Sequence, residues 1–393
     1  MDNWSQIWYL YAFPQSDRLK NALVDGSIDR VFTTPVLRHE QPLKDDLVAV
    51  ADKLKVQKKD HVEYPNTKEG LKVLIKAGKL KAAFNLTTQL LVKMGHVPNA
   101  HIRRNACTPE SLEIWNCRFQ LLMALEMHSV LKEEMAAFNE LDAPDLYFEF
   151  RSVYRRLEYV GSVVPFQLRL IHAEVPRFSD NPEHVFSRLG KLEENTKTVL
   201  AAMEDDMHKS VWEKRLEAVQ LVRARALYHL KDYMRAIQVY EDLLSRVKST
   251  EKHNLISNQL TRISMIVGHS KFFEKAVSLN KSSAYHHNKG LRAIFAANYQ
   301  KALDCFTSAK AEDQQETCEI CNNKAICELY TGGLKEAVTA LNSHPKSPLP
   351  LMRNLYTIGD LASTNSAELR TQHFVKHCNS LSDLYDPTQL RVL

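Results

Sequence analysis

Cys318-x2-Cys321, followed by Cys327 and preceded by the pair His286-His287, is the densest set of soft ligands in this 393-residue chain. Structural zinc needs four such ligands on turns that can converge. Here the cysteines fall on one predicted helix, with no second C-x2-C to close the site. Cysteine also packs as a small buried hydrophobe, and that is the reading the spacing supports. The 16 histidines are scattered without H-E-x-x-H, and G-x-x-x-x-G-K-[ST], G-x-S-x-G and G-x-G-x-x-G are all missing. Acidic residues pair with bases at helical spacing, as Glu193 does with Lys197, which reads as surface support. The sequence therefore predicts neither a catalytic constellation nor a metal or cofactor.

A second constellation is aromatic. Between residues 141 and 166 stand Leu146, Tyr147, Phe148, Phe150, Tyr154, Tyr159 and Phe166, in a stretch without helical periodicity. A bland loop would be polar, so these side chains must be covered, either by the rest of the chain or by another protein. Leu146, Tyr147, Phe148 and Phe150 are accordingly candidate partner-binding residues.

The elements that position both sets are repeats. Gly290 is followed twelve residues later by Ala302, Ala325 by Ala337, and Ala224 by Ala236. Tyr299, Leu334 and Tyr233 each stand three residues before the second alanine. A period in the mid-thirties with small residues at fixed offsets marks helix–turn–helix repeats of tetratricopeptide (TPR) type. The small residues let antiparallel helices approach closely. On the first helices of such pairs lie Asn288 with Lys289, and Asn322 and Asn323 with Lys324. In clamp-type repeats of chaperone adaptors, asparagines and lysines there grip a partner's terminal carboxylate. Asn288 and Asn323 are candidates for that role, but the other basic members of the pattern have no evident counterparts; ordinary polar groove residues are the alternative.

Degenerate copies extend the pattern. Gly78 ends one helix and Ala83 opens the next, Thr108-Pro109 caps a helix carrying Trp115 and Phe119, and Leu131 stands where alanine is expected. Phe273 likewise replaces an alanine, which predicts locally separated helices or a different crossing. The fold class expected is all-α, a TPR-like superhelix with an irregular aromatic-rich insertion. Its divisions are 1–66, an extended and helical segment packing on the solenoid or ordering on a partner; 67–138, degenerate helix pairs; 139–165, the insertion; 166–345, the superhelix; and 346–393, capping helices.

Composition bounds the rest. A formal charge of +5 without a dense basic block (the richest run, Lys53 to Lys59, alternates with apolar residues) argues against nucleic-acid binding. Seven cysteines at irregular spacing read as reduced thiols of the cytosol. No run of eighteen apolar residues appears, Met1 to Phe13 lacks the form of a signal peptide, and Leu390 to Leu393 is no prenylation box. Membrane association is expected only through partners.

Asn139-Glu-Leu-Asp-Ala-Pro-Asp-Leu-Tyr-Phe-Glu-Phe150 and Gly161-Ser-Val-Val-Pro-Phe-Gln-Leu-Arg-Leu-Ile-His-Ala-Glu174 carry a specific resemblance. With Ala77-Gly78, Ala82-Ala83, Leu112 to Trp115, Asn322 to Leu341 and Arg353-Asn-Leu-Tyr356, it covers most of residues 67 to 360. The chain resembles the subunit 12 family of the transport protein particle (TRAPP) tethering complex. That resemblance implies a non-enzymatic subunit contacting other TRAPP subunits, chiefly the large ones of the metazoan-type assembly. It also implies an indirect link to a Rab-family GTPase, a role in endoplasmic-reticulum-to-Golgi transport, and a peripheral cytoplasmic place at the intermediate compartment and Golgi membranes. Longer members of the family carry a low-complexity amino-terminal region with no counterpart in the resemblance.

Overall fold

The computed structural model describes residues 4–56, 62–98, 106–279, 285–312, 317–346, 348–379, 381 and 384–385. The tail from Leu390 to Leu393, residues 57–59 of the basic run and residues 99–105 of the loop after Gly95 lie outside them. Among the described residues the chain is all-helical, with twenty α-helices and no strand. They fall into two compact units: residues 1–44 with 63–245, and residues 45–62 with 246–393.

In chain order the helices begin with α1 (Trp4–Tyr11), α2 (Asp17–Val24) and α3 (Asp46–Lys53). The pairs α4 (Lys68–Lys76) and α5 (Leu80–Lys93), then α6 (Pro109–Ala124) and α7 (His128–Met135), follow as the spacing predicted. Gly78 takes φ +72° at the first turn, a conformation glycine adopts without cost. Thr108 caps α6 reciprocally with Ser111. Trp115, Phe119 and Phe138 then pack edge to face or tilted, their centroids 5.4 to 5.8 Å apart. Leu131 is fully buried in the place of the expected alanine.

The insertion interrupts this order with two 3-10 turns, the four-residue α8 (Ser152–Arg155) and an isolated antiparallel bridge between Tyr147 and Ser162. Regular helices resume with α9 (Phe166–Glu174), α10 (His184–Ala202), α11 (Asp206–His229) and α12 (Tyr233–Arg246). The second unit holds α13 (Thr250–Val267), α14 (Ser270–Leu279), α15 (Tyr285–Phe295), α16 (Tyr299–Glu312), α17 (Cys318–Thr331), α18 (Leu334–Ser343), α19 (Leu349–Ala362) and α20 (Ser366–His377).

Every small residue singled out from the spacing is buried: Ala83, Ala224, Ala236, Ala302, Ala325 and Ala337 are each 0 % exposed. Gly290 gives the reason most directly. A Cβ there would lie 2.6 Å from the Phe306 ring of α16, so only glycine permits the contact. Phe273, a second bulky exception, is buried and stacks on Phe295 at 4.2 Å.

The segment expected as one piece, 1–66, divides at Lys44. Residues 1–44 belong to the first unit, whereas α3 buries Leu47, Val50 and Ala51 among Met352, Leu355 and Phe374 of the second. A second division falls at Ser245, within the stretch expected as one superhelix. Periodicity reports which face of a helix is covered, but is silent on which distant helix covers it.

Candidate interaction surface

Leu146, Tyr147, Phe148 and Phe150 are 0 to 3 % exposed, enclosed by the first unit's own core. Of the two covers open from the sequence, the chain itself supplies one. They are not surface anchors, because each is already desolvated among Leu19, Leu37, Trp115 and their neighbours. Apolar exposure in the insertion lies elsewhere, at Val153, Leu157 and Val160 on and after α8.

What the insertion does hold is the amino-terminal strap. The backbone amide of Ser162 donates to Tyr11 O at 2.9 Å. A Cβ on Gly161, whose φ is +106°, would come within 2.3 Å of the same oxygen. Phe148 meets Tyr11 edge to face. Ser16 Oγ donates to Asp142 O at 2.7 Å, and Arg18 pairs with Asp142 at 2.9 Å. The buried carboxylate of Asp145 accepts from Phe32 N at 2.9 Å, Thr33 N at 2.8 Å and Thr33 Oγ1 at 3.0 Å.

Further along, the strap is extended, and Thr33, Pro35 and Leu37 alternate inward as a period of two requires. His96 bonds Pro35 O through Nδ1 at 3.0 Å, and its own carbonyl accepts from Leu37 N. Glu134 accepts from the amides of Arg38 and His39. Arg118 clamps that glutamate with Nε and Nη2 at 2.7 and 2.9 Å; both side chains are 0 % exposed. Asn85 closes the row by accepting from Leu43 N and donating to Leu43 O. Side chains thus read the strap's backbone as they would a bound peptide. The sequence reading missed Asp145, Glu134, Arg118 and Asn85. Their one signal was a buried-type charge pair, Arg118 and Glu134, inside an apolar helix pair.

Beside this row, His172 Nε2 contacts Asn139 O, and burial pulls its pKa down to about 4, helped by Arg188 and Arg169 and opposed by Glu140. His373 in the second unit, against Tyr356 and with His377 and Lys376 near it, is likewise held to about 4 by burial. Between pH 6.5 and 4 the unfolded chain therefore binds protons that the folded chain refuses. Stability falls as pH falls through that window, by up to about 1.4 kcal/mol per pH unit for each histidine. Urea unfolding at pH 7, 5.5 and 4.5 is expected to show this decline, and His172→Asn to flatten it. A midpoint independent of pH above 4.5 would contradict the burial of both rings.

In the second unit, Asn288 and Asn323 sit half-buried on α15 and α17. Asn288 Oδ1 is buried without a hydrogen-bond partner among the described residues, and no hydrogen bond joins it to Asn323. Asn322, not Asn323, is engaged, taking a 2.7 Å bond from Asn354 of α19. The cysteines do not converge with His286 and His287: Cys321 Sγ donates to Ala340 O, Cys318 faces His344 at 3.9 Å, and Cys327 packs with Phe306. Among the described residues no group of three or more His, Cys, Asp or Glu could hold a metal. No described helix is long and apolar enough to cross a membrane.

Fold and site together define a helix-pair repeat protein whose irregular insertion binds its own amino-terminal strap. Over 341 residues the chain is 28 % identical to trafficking protein particle complex subunit 12 of Homo sapiens, covering 76 % of this chain and 45 % of that protein. The Mus musculus protein of the same description is 28 % identical over 333 residues, covering 76 % and 41 %. The resemblance carried by residues 139 to 174 thus extends across three quarters of the chain. The chain spans less than half the length of these curated relatives. No family model matches the sequence.

Proposed function

We propose that the chain is a non-catalytic scaffold subunit of a TRAPP vesicle-tethering complex, joining other subunits, chiefly the large ones, through protein contacts. The observation that carries this reading is the likeness to subunit 12 over most of an all-helical repeat fold. Repeat arrays present long surfaces suited to several partners at once. The work belongs to endoplasmic-reticulum-to-Golgi transport, with the chain peripheral at intermediate-compartment and Golgi membranes and linked to a Rab GTPase only through the complex. Affinity purification from cells followed by mass spectrometry is expected to recover other TRAPP subunits in stoichiometric amounts. Their absence from a purification that retains folded bait would overturn the proposal.

A second reading, a chaperone-adaptor protein that binds carboxyl-terminal peptides, draws on the bare Asn288 Oδ1 and on the equivalent placement of Asn288 and Asn323 in neighbouring repeats. Titrating such peptides against the wild type, Asn288→Ala and Asn323→Ala separates the two, since a clamp binds them only with the asparagines intact.

A further inference from the structure

Of the seven cysteines, Cys117 and Cys318 are partly exposed and the other five are buried. Burial pushes the thiols of Cys117 and Cys327 up to about 11, which leaves them sluggish in exchange. Cys318 differs in its neighbours. It is the first residue of α17, and Cys321 follows one turn along the same helix. No other two cysteines of the chain stand three or four residues apart.

The pair divides in burial. Cys321 is 1 % exposed and its Sγ reaches Ala340 O of α18 at 3.6 Å. Cys318 lies at the edge of the same apolar cluster, its Sγ 3.9 Å from His344 Nδ1. A reachable sulfur backed by a buried one suits thiol–disulfide exchange, since the first meets the oxidant and the second resolves the mixed disulfide. Side chains three apart on a helix hold their Cβ atoms about 5–6 Å apart, and a disulfide requires about 3.5–4.5 Å. The first turn is where that gap can close, because its N–H groups carry no bond to a preceding turn. Tightening it disturbs the cap bond from Ile320 N to Thr317 Oγ1, at 3.2 Å, and leaves the later helix bonds in place.

We propose that Cys318 and Cys321 form a redox-active dithiol, which a small disulfide such as oxidised glutathione converts to a bridge across the first turn of α17. The Cys318 sulfur gives up its proton, attacks one sulfur of the oxidant and displaces a glutathione thiolate. The Cys321 sulfur then gives up its proton, attacks Cys318 and displaces the second thiolate. Each departing thiolate takes up one of those protons. The two cysteines are oxidised, the small disulfide is reduced to two thiols, and no other reactant is needed. The bridge replaces the Cys321 contact to Ala340 O and staples the helix that carries Asn322 and Asn323.

The folded full chain, incubated with oxidised glutathione, quenched with N-ethylmaleimide and mapped by peptide mass spectrometry, provides the test. The wild type is expected to yield a peptide lighter by two hydrogens, bridged between residues 318 and 321, and dithiothreitol to restore both thiols. Cys321→Ala is expected to stop halfway, with glutathione retained on Cys318, and Cys318→Ala to lose both products. Alanine removes only a sulfur from either site, and far-ultraviolet circular dichroism verifies that the variants keep the fold. Wild-type protein whose two cysteines take only N-ethylmaleimide would overturn the proposal. So would Cys321→Ala protein without glutathione on Cys318, or a wild-type adduct on Cys318 that never proceeds to the bridge.

Discussion

Replacing Tyr147, Phe148 and Phe150 together with serine is expected to unfold the first unit, not merely to blunt an interface. Phe150 is 0 % exposed and Tyr147 2 %, and Phe148 packs against Tyr11, Tyr154 and Tyr159. Phe150→Ala alone should cost about 3–5 kcal/mol, the transfer of a buried ring plus the cavity it leaves. The triple variant also strips the surface on which Tyr11 and Phe32 rest, so the strap loosens with it. Loss of partner subunits in such a variant would therefore report lost folding. Near-ultraviolet circular dichroism and urea unfolding decide the matter: a native spectrum with an unchanged midpoint would show that these rings do not hold the core.

Glu134→Leu is expected to destabilise the first unit by about 3–5 kcal/mol, the usual result of leaving one member of a buried ion pair alone. The substitution strands the Arg118 guanidinium, which then keeps only Thr87, Thr88, His39 O and the Phe84 ring. It also leaves the Arg38 and His39 amides without their acceptor. Removing both charges, as in Arg118→Met with Glu134→Leu, should recover part of the loss, because no uncompensated charge remains. Recovery stops short of full, since the two strap amides still lack a carboxylate. Hydrogen exchange at residues 38 and 39 should quicken in both variants, whereas equilibrium unfolding should separate them. If the double variant is no more stable than the single, the pair is not what makes Glu134 necessary.

Much of the fold was legible because its rules are local. Two helices that touch demand a small residue at a set offset, and Gly290 against Phe306, Ala302 and Ala337 satisfy that demand where the spacing places them. Thr108-Pro109 and Gly78 mark helix ends through their own backbone chemistry. The interaction surface was less legible. An apolar stretch with no helical period says only that it is covered. Among the residues that cover Phe148 and Phe150 are Tyr11 and Phe32, more than a hundred positions away.

The sequence by itself determined the helix pairs, their contact residues, the place where the repeat breaks and the family likeness concentrated there. Each of these depends on residues within a few turns of one another, or on identity at fixed positions. Only the tertiary structure decided that the break is a core and a cradle. It also assigned Asp145, Glu134 and Asn85 to the backbone of the strap. A buried carboxylate looks the same in sequence as a solvated one. What distinguishes them is the partner brought up from a distant segment, which the long-range packing of the chain alone provides.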